Sequence, residues 1–223
     1  LQNLREAHQV GVELNDIIYA GYAITFLNRA QFLMGESLDS VYEKMLGYMQ
    51  FANKIQSLIS LHQMMAWMRI TTDLIEKPAS KAVFGDYIDD KAQDAFYEQL
   101  LMEKNIPLTL VNYTIAKSFY YYILADYKQA LAFTERSVPH LPAVLGLPEW
   151  PEHFIINCLS SLAIQLEGHK LSKAQLKAFK QSFKLLEIWS HESPFNYESK
   201  YLLALAEYQL LNNNKPEAKQ NFN

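Results

Sequence analysis

Asp89, Asp90 and Asp94 set two adjacent carboxylates one helical turn from a third, a spacing that can hold a diphosphate through magnesium ions. No second acidic cluster of that kind accompanies them, and Asp89 and Asp90 also suit the start of a helix at Lys91. Zinc hydrolysis on a helix calls for two histidines one turn apart with a glutamate between them. The nearest approach is 149–153, where glutamate replaces the leading histidine, Pro151 interrupts and Pro148 directly precedes. Its simpler reading is a helix start, where carboxylates favour the dipole. Di-iron spacing of glutamate and histidine is absent, as is a phosphate-cradling loop ending in Gly-Lys-Ser/Thr. We therefore assign no catalytic, cofactor-binding or metal residue and expect no cofactor.

The single cysteine, Cys158, cannot form an internal disulfide, and it sits in the apolar run 155–166, which suits a small buried thiol. Five lysines at 170, 173, 177, 180 and 184 follow helical spacing and read as a solvated face. With a net charge of −4 and no dense basic patch, nucleic acid is not an expected partner. The longest apolar stretch, 17–34, contains Asn28 and Arg29, so no membrane insertion is expected. A cytoplasmic protein is the resulting expectation. Leu1 in place of Met, and a helix pattern still running at Asn223, suggest a segment of a longer chain.

The elements that position these groups are helical. Half of the residues are hydrophobic, and with 7 glycines and 8 prolines there is little material for β-turns. Apolar periodicity predicts helices over 15–34, with Ile17, Ile24, Leu27 and Met34 on its face, then from 37 through Ala52, and over 58–75. The stretch 77–90 reads as the longest loop, followed by a short helix over 91–104. Further helices are expected from Pro107 through Tyr122, from 126 to 138, from about 152 to 167, from Ser172 to about 191, over 196–211, and from Pro216 onward. Pro139, Pro142, Pro148 and Pro151 mark a break between two of them.

Such pairing invites a search for repeats. Residues 112–142 resemble a tetratricopeptide repeat: a turn at Ala125 and Asp126, small residues Ser118, Ala130 and Ser137 at close approaches, and Pro142 at the closing position. Thr114 and Thr134 depart from the aromatic preference, and Phe133 is the nearest aromatic. A partial repeat covers 199–223, with Ala206, a polar turn at 212–214, Ala218 and Phe222. The expected fold is all-α, one domain over 1–223 whose antiparallel helix pairs stack as a tetratricopeptide-like right-handed solenoid. Asn112, Phe119 and Tyr122 are the candidate groove.

A second cluster reads as a helix–helix corner or partner site: Trp189, His191, Asn196, Tyr197, Lys200 and Glu207. Together with Pro194, Tyr201, Leu203 and Ala206, this stretch resembles the helical region of very large bacterial signalling ATPases. The segments around 22–35, 121–130 and 153–162 are also similar to that region. The resemblance implies that a serine/threonine-kinase-like domain, an AAA-type ATPase and a sensor histidine kinase flank this segment, which itself relays by repacking. The expected function is a non-catalytic interaction or relay scaffold in two-component-like signal transduction, its partner a protein or peptide, including flanking domains of the same chain. Two alternatives stay open: an inducer-binding sensor arm of an ATP-dependent transcriptional activator, and an isoprenoid-type magnesium enzyme using the aspartates at 89, 90 and 94.

Overall fold

The structure, a computed structural model, describes residues 1–75, 99, 101, 103 and 106–222. Asp89, Asp90 and Asp94, the loop expected over 77–90 and most of the helix expected over 91–104 lie outside the described residues. Among those described there are α-helices and one 3-10 helix, and no strand. The helices are α1 (Gln2–Glu13), α2 (Ile17–Leu33), α3 (Leu38–Lys54), α4 (Leu58–Leu74), α5 (Pro107–Ile123), α6 (Tyr127–Ser137), α7 (Glu149–Leu166), α8 (Lys173–Glu192), α9 (Pro194–Leu211) and α10 (Lys215–Phe222). The 3-10 helix covers Val138–Val144.

Six connections close in one way. The second residue past the helix end takes φ between 54° and 84°, at Asn15, Gly35, Gln56, Ala125, Gly168 and Asn213. The next amide then reaches back five residues, as Asp16 N does to Gly11 O and Asp126 N to Tyr121 O, over 2.7–3.3 Å across the six. This is the Schellman closure, which satisfies carbonyls that the helix leaves orphaned. In three of these turns the residue that closes one helix also caps the next. Asp16 accepts from Tyr19 N, Ser57 from Ser60 N and Asp126 from Gln129 N. A three-residue connection, as after α1, α3, α5 and α9, favours an antiparallel neighbour, and α1 packs on α2, α3 on α4 and α9 on α10. At α8 the cap is reciprocal: Ser172 Oγ accepts from Gln175 N and Ser172 N donates to Gln175 Oε1.

The chain divides into two compact units, Leu1–Ala116 and Lys117–Asn223. In the first, α2 packs on α1, α3 and α4. Two glycines allow this. A Cβ on Gly11 would meet Ala20 Cβ at 3.0 Å and the Ala20 amide nitrogen at 3.1 Å, and one on Gly21 would meet Ser60 Oγ at 3.2 Å. The core is rich in methionine, with Met45, Met49, Met64, Met65 and Met68 buried around Trp67. Asn112 closes it from α5, accepting from Trp67 Nε1 at 2.7 Å and donating to the Gln63 carbonyl at 3.0 Å.

The face expected for α2 needs correction. Ile24 and Leu27 are buried, but Ile17 and Met34 are exposed, while Asn28, Arg29 and Gln31 are buried. Because α2 is covered by three neighbours, its small residues and interior polar groups go inside, and apolar residues near its ends are left out. The sequence reading also places no helix before residue 15. Only Gly11 is buried in α1, so that helix has no apolar face long enough to announce itself.

In the second unit α7 packs on α6, α8 and α9, and α9 packs on α8 and α10. Ser118, Ala130, Ser137, Ala206 and Ala218, the small residues marked in the sequence, are buried. The proline-marked break is a 3-10 helix with Pro142 inside it, and α7 begins at Glu149 rather than about 152. A proline within the first turn sacrifices no intrahelical hydrogen bond, so Pro151 is tolerated there.

Candidate functional site

Buried hydroxyls and amides knit the second unit. Thr134 Oγ1 donates to the Leu131 carbonyl at 2.8 Å and accepts from Asn157 Nδ2 at 3.1 Å. Ser182 Oγ donates to Asn157 Oδ1 at 3.0 Å, so Asn157 bridges α6 and α8. A step away, Ser137 Oγ donates to the Thr134 carbonyl at 2.7 Å and lies 2.7 Å from His153 Nδ1. With its one proton committed, that hydroxyl accepts from His153, which places a proton on Nδ1. Burial holds its pKa down at about 4. Thr134, a departure from the repeat pattern, is thus where one rung of polar contacts attaches. The signal available in the sequence was polar residues, His153, Asn157, Ser160 and Ser161, at core spacing in an apolar helix.

The corner residues divide among several environments. Trp189 packs edge-on against Phe154 at 5.8 Å and tilts over Tyr197 at 5.5 Å. Lys200 Nζ pairs with Glu152 Oε1 at 2.6 Å, tying α9 to the first turn of α7. Asn196 Nδ2 bonds within its own turn, to Ser193 Oγ at 2.9 Å, and His191 is exposed. Trp189, Tyr197 and Lys200 therefore converge on the start of α7, while Glu207 lies farther along α9.

Glu207 meets a different group. Its charge acts on Tyr122 of α5 and on Cys158 of α7. Desolvation raises the Glu207 carboxyl from the ordinary 4.5 to about 7. Its Oε2 is buried and has no hydrogen-bond partner among the described residues. Burial, with the Glu207 charge in a secondary role, pushes the phenol of Tyr122 and the thiol of Cys158 up. Tyr122 in turn tilts against Tyr127 at 5.6 Å. Of the candidate groove, Phe119 and Tyr122 are half-buried, whereas Asn112 is committed to the core of the first unit. The sequence reading had put Tyr122 and Glu207 in separate clusters.

The five lysines from 170 to 184 are all exposed. Among the described residues no helix is long and apolar enough to cross a membrane. No group of three or more His, Cys, Asp or Glu among them is placed to hold a metal ion. The arrangement defines an all-helical protein built of hairpin-paired helices. Comparison with protein-family profiles, with curated proteins and with solved structures finds no match.

Proposed function

We propose that this chain is a non-catalytic scaffold that binds a protein or peptide, its helix pairs stacked in the tetratricopeptide manner as a right-handed solenoid. The observation that carries this reading is Glu207, a half-buried carboxyl with one unpaired oxygen, whose charge reaches Tyr122. A buried acceptor left without a donor costs on the order of 1–3 kcal/mol, and a cationic side chain from a partner would supply the missing donor. The tyrosines at 122 and 127 add aromatic faces that suit such a cation. The repeated short turns support the stacking, since each lays one helix back along the last. Within this reading the chain relays between flanking domains of a multidomain bacterial signalling protein, in line with the resemblance of 189–207.

Selection of random peptides on the immobilised chain tests the scaffold role. Peptides carrying Lys or Arg are expected to enrich, and Glu207→Gln is expected to weaken them at least about tenfold, the worth of one charge-assisted hydrogen bond. If nothing enriches, or the selected peptides bind Glu207→Gln as tightly as the parent chain, the reading fails.

A further inference from the structure

The first unit leaves an apolar face open at the turn ends of two helix hairpins. Ile17, Ile18 and Tyr22 from the start of α2 line a cavity of about 300 Å³ together with Ile55, Ser57 and Ile59 from the α3–α4 turn. The patch continues through Tyr19, whose ring meets Tyr22 edge-on at 6.2 Å, and through Leu58. Ile18 is 64% exposed, Tyr19 68%, Leu58 66% and Ile59 53%. With Ile17 and Tyr22 added, the exposed side chains amount to on the order of 700 Å², above the roughly 300–600 Å² of the largest patch on an ordinary monomer.

We propose that this face is covered by the same face of a second copy of the chain. Two features select that occupant. Each partner in a stable complex of standard size contributes about 800 Å², which the patch nearly supplies. A two-fold contact also sets each patch against itself, so charge within it would repel its own copy. Across 14–22 and 55–60 the one charged side chain is Asp16, and it is engaged as the cap of α2. The face thus sets a recess, the cavity between the hairpins, beside the exposed Tyr19 and Leu58, as a self-complementary contact requires.

The dimer stands apart from peptide binding at Glu207, which lies in the other unit. Sedimentation equilibrium on the whole chain, from about 1 to 100 µM, reads it directly. The expected species has twice the chain mass of 25.8 kDa. Ile18→Asp and Ile59→Asp place a carboxylate in the contact and should each raise the dissociation constant at least about tenfold. Both positions are more than half exposed in the single chain, so circular dichroism of the variants should match the parent. Phe195→Asp, at a fully exposed aromatic in the other unit (100%), is expected to leave the association unchanged. Hydrogen exchange at 17–22 and 55–59 should slow as concentration rises. A mass of 25.8 kDa throughout overturns the proposal, as does a dimer that survives both isoleucine variants.

Discussion

Glu207→Gln tests whether burial sets the titration of that carboxyl. The native state holds a proton on Glu207 up to a pKa of about 7, while the unfolded chain releases it near 4.5. Between those values the folded protein binds more protons than the unfolded one, so this group makes stability fall as pH rises. The interval corresponds to about 3.4 kcal/mol at 1.36 kcal/mol for each tenfold step in the acid constant. The side chain is only half-buried, and solvent screening cuts the figure to about 1–2 kcal/mol. His153 acts with the opposite sign. It titrates at about 4 when folded and near 6.5 when unfolded, so stability is lost as pH falls through that window. Being buried, it is worth about 3 kcal/mol. From pH 4 to pH 7 the two partly cancel, leaving the parent chain a net gain of about 1–2 kcal/mol from this pair, whereas Glu207→Gln should show the full rise of about 3 kcal/mol. Urea unfolding by tryptophan fluorescence at stepped pH measures this, with Trp150 and Trp189 in the same unit as Glu207. The advantage of the variant over the parent should grow by about 1–2 kcal/mol between pH 4.5 and pH 7.5. A difference that stays constant with pH, or shrinks as pH rises, would refute the placement of Glu207 in a desolvated site.

Two comparisons probe the packing. Gly11→Ala brings a methyl to 3.0 Å from Ala20 Cβ and 3.1 Å from its backbone nitrogen, so a helix must shift. The expected loss is about 1–3 kcal/mol, enough to outweigh the gain of up to about 1 kcal/mol in helix propensity. Gly47→Ala meets nothing within 4 Å and should raise stability by up to about 1 kcal/mol, so thermal melts of the two variants should move in opposite directions. Asn157→Ala removes both bonds of its rung and strands the buried Ser182 hydroxyl, a cost of about 2–4 kcal/mol in urea unfolding. Adding Ser182→Ala should cost less than its effect alone, and strict additivity would argue against the rung.

Helix existence was legible because helices report themselves through local chemistry. The spacing of Val41, Met45, Tyr48, Met49 and Ala52 predicts the buried stripe of α3, and all but the half-buried Tyr48 are buried. Turns at 125–126 and 212–214, and the cap at Ser172, follow from residue types that hydrogen-bond their own backbone. A single-sided stripe is harder to read when a helix is surrounded. In α2 three neighbours invert the expectation, taking in Asn28, Arg29 and Gln31 and leaving Ile17 and Met34 outside.

The candidate site was legible only in pieces. Trp189 and Tyr197 meet because a turn brings neighbours in sequence together, yet the partners of Trp189 and Lys200 on α7, Phe154 and Glu152, come from a distant segment. Tyr122 and Glu207 stand 85 positions apart in the sequence, and nothing local to either marks them as neighbours. Periodicity, caps and turn residues are settled within a few positions of the chain, so the sequence alone determined an all-helical protein with its hairpin turns. Which polar side chain pairs across helices, which carboxyl loses water, and which apolar face is left open depend on neighbours far away along the chain. Those features were decided only when the helices packed.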